Sequence, residues 1–209
     1  MNKKRRILLF VPILLWASRA SAQEGFSFFT SDFPPEEFAS RRAGVYDAIG
    51  KGAIAILQGA PTPVGYTRFR QSNDFYYLCG VEVPNAFLVL DGSSRKATLY
   101  LPHRNEGRER GEGKVLSAED AEEVKKLSGV EEVAGADLLA EHVARVLQRR
   151  VPLTAFTPLF PAEGSAESRD LALRRVAELG SDPWDGRASR AGSFVRKLRE
   201  RFPNLTVAD

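Results

Sequence analysis

A hydrolytic metal centre needs three or more His, Asp, Glu or Cys side chains converging on one point. Covalent catalysis needs a nucleophile with a base beside it. The sequence is sparing with both: it has two histidines and one cysteine. His142 borders the apolar face of an expected helix, where a lone imidazole is read as structural. His103 follows the end of an expected strand. No second ligand stands at a recognisable spacing from it, so a solvated or hydrogen-bonded role is expected. Cys79 lies among aromatics without a sequence-level His partner and is read as a buried, inert thiol. No G-x-S-x-G elbow is present. Gly111-Glu112-Gly113-Lys114 falls short of a phosphate loop, because Arg108 stands where the first Gly is needed and Val115 where Ser or Thr is needed. Glu106, Glu109 and Glu112 alternate with Arg108 and Arg110, which reads as a solvated charged loop.

The stretch that stands out is Arg70 to Leu90, RQSNDFYYLCGVEVPNAFLVL. A polar opening leads into the aromatic knot Phe75-Tyr76-Tyr77-Leu78. Asp74 is placed to cap a single helical turn, and Gly80 to end it in a left-handed conformation. The four knot residues cannot all face inward from one turn. At least one of the four is exposed or meets a partner; alternatively the tyrosines line the core edge with their hydroxyls hydrogen-bonded. Phe75 and Leu78, which lack a polar tip, are the core candidates.

The elements that position this stretch follow from punctuation and period. Pro34-Pro35-Glu36-Glu37 opens a helix running to Gly50. Ala53–Leu57 is a short buried strand, and a Gly/Pro-rich loop follows to Thr67. Ala86–Leu90, turn Asp91-Gly92-Ser93-Ser94 and Lys96–Leu101 form a hairpin. Asn105–Lys114 reads as a loop. Ser117 caps a helix ending near Gly129, and Asp137 caps a longer one with Leu139, Val143, Val146 and Leu147 on one face. Pro152–Phe156 is a strand, Ser165–Leu179 a helix, Asp182–Gly186 a turn and Ser189–Phe202 a last helix before an extended Leu205–Val207. The alternation predicts an α/β fold, a mixed β-sheet with helices on both faces.

Composition bounds the partners. The formal charge is +3, but residues 1–22 hold Lys3, Lys4, Arg5, Arg6 and Arg19 and no acid. Setting those five aside leaves 25 basic against 27 acidic residues, so nucleic acid is not an expected partner. The same 22 residues have the shape of a signal peptide: a basic start, an apolar run from Ile7 to Ala17 and the small-x-small site Ala20-Ser21-Ala22. Cleavage is expected before Gln23. The expectation is an exported protein, periplasmic or secreted, that meets a membrane only during export. Residues 23–33 are then a lead-in and 34–209 the folded domain.

The wording of the central stretch is also specific to a family. Arg70-Gln71, Asp74-Phe75-Tyr76-Tyr77-Leu78, Gly80, Glu82 and Pro84, followed by an apolar strand, closely resemble the N-terminal domain of Xaa-Pro aminopeptidases (aminopeptidase P). These belong to the creatinase/prolidase superfamily of pita-bread metallopeptidases. The resemblance implies a non-catalytic domain that gates substrate and forms oligomers, for an enzyme removing N-terminal residues that precede proline. It implies a partner, the C-terminal pita-bread domain, where two Asp, one His and two Glu hold two divalent metals, usually manganese. None of those motifs is in this sequence, so catalytic and metal residues are expected to be absent from this chain, which is expected to be inactive alone and to stop where the linker would begin. In relatives an aromatic at the third place of the Asp-Phe-Trp-Tyr pattern reaches a neighbouring subunit's active site. Tyr76 stands at that place and is the gating candidate; proline-containing peptides and a homo-oligomer are the implied partners. Glu109 and Gly113 match a Glu-x-Trp-x-Gly pattern of relatives, with Gly111 where the Trp would be. The alternative expectation is a stand-alone exported binding or assembly module without a peptidase.

Overall fold

The computed structural model describes residues 33–63, 69–158 and 186–209, with Ala177, Ser181 and Trp184 between them. The expected signal peptide over 1–22 and lead-in up to residue 32 lie outside the described residues. So does the helix expected over Ser165–Leu179, apart from Ala177, which is helical.

Helix α1, Pro35–Ile49, starts on the prolines and has Glu36 and Glu37 in its first turn, where carboxylates face the positive end of the helix dipole. Strand β1 is Ala53–Gln58, followed by α2, Asn73–Cys79. The hairpin β2, Phe87–Asp91, and β3, Lys96–Leu101, comes next. A short helix α3, Glu106–Glu112, then precedes α4, Ala121–Ser128. Edge strand β4, Glu132–Gly135, leads into α5, Leu139–Arg149. Strand β5, Leu153–Phe156, helix α6, Arg190–Arg201, and strand β6, Leu205–Ala208, complete the described order.

The strands form one sheet in the order β4-β3-β2-β1-β5-β6. Strand β2 runs antiparallel to both β1 and β3, while β3–β4, β1–β5 and β5–β6 are parallel pairs. Every strand except β2 therefore points the same way. The sheet is mixed, as expected, and its helices divide between two faces. Tyr46, Phe75, Leu78 and Val124 of α1, α2 and α4 pack on Ala55, Leu57, Leu88, Leu90 and Leu99. Leu139, Val143 and Val146 of α5, with Leu198 of α6, pack on Ile54, Ile56, Val89, Tyr100 and Leu153. Adjacent strand residues belong to opposite clusters, as the period of two requires.

Three sequence expectations change. The Asn105–Lys114 segment is helical over α3: the Asn105 side chain accepts from the Arg108 N–H at 3.0 Å, and Arg108 Nε meets Glu112 Oε2 at 2.5 Å one turn on. Asp137 does not cap α5; it lies in a 3-10 turn, Ala136–Leu138, that feeds the helix. Strand β4 was not anticipated. Ser117 caps the 3-10 turn Ala118–Asp120 that leads into α4, in a reciprocal box with Asp120, while the N-cap of α4 itself is Asp120.

Candidate functional site

Helix α2 carries the aromatic knot as a short ledge. Its N-cap is Ser72, not Asp74: the chain is extended at Ser72 (φ −61°, ψ 143°), and the Ser72 carbonyl already accepts the Tyr76 N–H at 2.9 Å. Asp74 is an exposed residue inside the first turn. Gly80 closes the helix with φ 68° and donates its N–H to Tyr76 O at 2.8 Å. Only glycine suits this place, since a Cβ would also collide with the Phe38 ring. The helical spacing turns Phe75, Leu78 and Cys79 into the core, leaves Tyr76 half-buried and presents Tyr77 at 55% exposure. The expectation that at least one residue of the knot is exposed is met by Tyr77, whereas Tyr76, the gating candidate, is half-buried.

Gln71 holds the ledge to the sheet and is 3% exposed. Its side-chain oxygen accepts from Ala60 N and Ser72 N, and its amide nitrogen donates to Val81 O at 3.3 Å and Val83 O at 3.0 Å. That fills the capacity of a carboxamide and ties the loop after β1 to the connection between α2 and β2. In that connection Val81 and Val83 are buried, while Glu82 and Pro84 are half-exposed. Arg70 is exposed. Gln71, Phe75 and Gly80 of the motif are thus structural, and Tyr77 is the aromatic it displays.

Two arginines of α1 support the ledge from the side. The Arg41 guanidinium lies 4.4 Å from the Tyr77 ring centroid and 4.5 Å from that of Phe33, and its Nη1 donates to Tyr77 O at 3.1 Å. Such cation–π contacts stiffen an otherwise exposed ring. Arg42 is 1% exposed. It donates to Leu78 O at 3.0 Å, to Ser128 O at 3.1 Å and to Gly129 O. Those carbonyls belong to the C-terminal ends of α2 and α4, the negative ends of their dipoles. Sequence reading gives Arg41 and Arg42 no role beyond membership of the helix. The available signal was spacing, because Phe38, Arg42 and Tyr46 recur every four residues on the buried face of α1.

Beside the ledge is a cavity of about 210 Å³. It lies where the carboxyl ends of β1 and β3 meet the amino end of the reversed β2, the end of an α/β sheet where ligands commonly bind. Thr62, Val83, Pro84, His103, Arg104 and Leu116 are among its lining residues. His103 is exposed yet doubly held. Its Nδ1 meets Glu119 Oε1 at 2.7 Å and its Nε2 meets Asp137 Oδ1 at 3.0 Å. These two carboxylates, Glu119 foremost, raise the His103 pKa above the ordinary imidazole value. The His103 hydrogen bond, with the Arg104 N–H, holds Glu119 down to about 2. Nearby, burial would raise the Asp120 carboxyl, but hydrogen bonds from Ser117, Lys114 and Arg104 outweigh it and leave it at about 2. The partners of His103 stand 16 and 34 residues away, which is why spacing did not reveal them.

This cluster does not suit a metal ion. An imidazole bridging two carboxylates through both nitrogens holds protons where a metal needs lone pairs. Among the described residues no group of three or more His, Cys, Asp or Glu side chains is arranged to hold a metal. Cys79 is no nucleophile: burial pushes its thiol up to about 12. His142 lies on the other face of the sheet, hydrogen-bonded through Nδ1 to the Tyr100 hydroxyl.

Comparison with known proteins agrees with this architecture. The family profile for the aminopeptidase P N-terminal domain matches residues 38–154. Mouse Xaa-Pro aminopeptidase 3 is 39% identical over 156 residues, 69% of this chain and 27% of the mouse protein. The rat Xaa-Pro aminopeptidase 3 is 43% identical over 56 residues, 24% of this chain and 11% of the rat protein. The chain thus spans about a quarter or less of these curated relatives. In fold it is similar to a Bacillus anthracis protein described as an aminopeptidase P, with a TM-score of 0.64 at 21% identity, covering 85% of this chain and 38% of that one. It is also similar to E. coli aminopeptidase P bound to the inhibitor Pro-Leu, with a TM-score of 0.54 at 19% identity, covering 86% and 37%. With the profile covering more than half of its length, the chain belongs to the aminopeptidase P N-terminal domain family.

Proposed function

We propose that this chain serves as the N-terminal, non-catalytic part of an exported Xaa-Pro aminopeptidase, gating proline-containing peptides and joining subunits into an oligomer. A C-terminal pita-bread domain would supply the chemistry, with two divalent metals, manganese by family habit, activating the water that cuts the bond before proline. The observation that carries the gating role is the ledge itself. Tyr77 is displayed and Tyr76 half-buried on a helix whose other apolar residues are buried. Gln71, Arg41 and Arg42 hold that helix in place. A rigid aromatic surface of this kind packs against a pyrrolidine ring at little cost in conformational entropy.

The test is kinetic and uses this domain joined to its catalytic domain. Tyr76→Ala is expected to lower kcat/KM on Xaa-Pro peptides by about tenfold, one contact's worth of transition-state binding, with bound metal and melting temperature unchanged. Unchanged kinetics, or activity lost in proportion to metal, overturns the gating role. Export is checked separately by intact mass. The mature chain is expected to start at Gln23, and a retained Met1 or Asn2 start refutes it.

A further inference from the structure

At the opposite end of the sheet from the ledge is a second, larger cavity of about 370 Å³. It lies where edge strand β4 emerges from under α5. Thr98 and Tyr100 of β3 are lining residues buried beneath it, and Ala134 of β4 is too small to close the gap. One row of α5 and its lead-in turn, Leu138, His142, Arg145 and Arg149, lines the other side. These residues recur at spacings of four, three and four, so they share a helical stripe. That stripe lies beside the buried one formed by Leu139, Val143 and Val146. Of its polar members, Arg145 and Arg149 are exposed and His142 is half-buried.

The charges at this cavity are unequal. Arg150 and Asp91 neutralise each other in a two-pronged pair, at 2.6 and 2.8 Å. What remains is Lys96, Arg145 and Arg149 against Glu132, which meets Thr98 Oγ1 at 3.5 Å. Among the described residues Arg145 pairs with Glu141 alone, at 3.8 Å. Lys96 and Arg149 have no side-chain partner among the described residues. Below them the Tyr100 hydroxyl bonds His142 Nδ1. Burial, with Arg145, keeps His142 below its ordinary pKa, and burial pushes the Tyr100 phenol up. Both groups are therefore neutral near pH 7. In the tautomer in which the phenol donates to Nδ1, the imidazole carries its proton on Nε2 and can donate from there.

We propose that this cavity is a binding site for a small oxyanion, a phosphate- or carboxylate-bearing molecule, held by Lys96, Arg145 and Arg149 with His142 donating from the side. Guanidinium and ammonium groups around a partly enclosed cavity suit such a ligand, because charge-assisted hydrogen bonds strengthen away from bulk water. A volume near 370 Å³ is within the usual range for small-molecule pockets. The site is separate from the ledge and does not depend on the peptidase reading.

The experiment titrates the full chain, labelled with nitrogen-15, with inorganic phosphate and in parallel with succinate, holding ionic strength constant with chloride. Saturable shifts at Arg145, Arg149 and the His142 ring are expected. Saturation by phosphate alone identifies a phosphate ligand, and saturation by both identifies the shared oxyanion chemistry. Saturation by neither, or shifts that chloride alone reproduces, overturns the proposal. Lys96→Ala combined with Arg149→Ala changes two exposed side chains, so the fold is kept and its melting curve confirms this. The double variant is expected to bind phosphate at least about tenfold more weakly; affinity equal to the parent's overturns the site.

Discussion

Arg42 gives the sharpest test of how the ledge is held. Its guanidinium is buried with no ion-pair partner among the described residues, its charge met by carbonyls at the ends of α2 and α4. Arg42→Ala removes three charge-assisted hydrogen bonds, each about 1.5–3 kcal/mol, and orphans the accepting carbonyls. It also relieves the desolvation cost of a buried charge, which offsets several kcal/mol of that sum. The net expectation is a loss of about 3–5 kcal/mol, large against a total stability of about 5–15 kcal/mol. At about 2–4 °C per kcal/mol for a chain of this size, the melting temperature falls by about 10 °C. Arg42→Lys keeps the charge but not the planar fork and should fall between the two. The assay is a set of thermal melts with amide hydrogen exchange read at Gly80 and Gly129, whose N–H groups close the two helices. A melt of Arg42→Ala within about 2 °C of the parent, or of Arg42→Lys below Arg42→Ala, refutes the reasoning.

Phe75→Ala should destabilise the chain by about 3–5 kcal/mol and Tyr77→Ala by about 1 kcal/mol or less, so paired melts must separate widely. Asp91 is held down to about 2, because hydrogen bonds from Arg150, Ser93 and Ser94 outweigh the effect of burial. A carboxyl lowered in the folded state contributes stability that is present above its unfolded value, near 4, and lost as pH falls through its folded one. The melting gap between the parent and Asp91→Asn should therefore be full near pH 6 and shrink between about pH 4 and pH 2; a constant gap counts against the Arg150 pairing. The two histidines should titrate on opposite sides of the ordinary imidazole value, His103 above it and His142 below it. Carbon-13 spectra of the rings across pH 4–9 (an interval of about five units around that value) would show this, and overlapping curves would contradict both environments.

Local signals carried much of the architecture into the sequence. Strand β3 has the expected ends, because Lys96–Leu101 stands between a hairpin turn and a proline. Helix α1 is announced by its prolines and first-turn acids. What sequence reading missed depends on contacts made at a distance. Strand β4 has only four residues and one buried position, so its period is too short to see; its pairing with β3 defines it. Helix α3 was hidden by Gly107 and Gly111, which lower helix propensity, and is held by the Asn105 cap and the Arg108–Glu112 and Arg104–Glu109 ion pairs. In the candidate site the aromatic ledge was legible because its residues are contiguous. The His103 cluster was not, since three separate turns deliver its members.

The sheet order has a consequence for how the chain comes into being. Strand β1 is central, flanked by β2 on one side and β5 on the other. The first pairing closes once the connection through α2 and the strand β2 are made; the second waits for β5, after most of the domain. Until then one side of β1 carries unsatisfied backbone donors and acceptors on an almost wholly apolar strand, the kind of edge that recruits foreign strands. A nascent chain passes through this stage every time, because sequence-distant parallel pairing is slow. Substitutions in β5 that barely alter the finished fold would lengthen that exposure, and would register first as lower yield and greater dependence on chaperones.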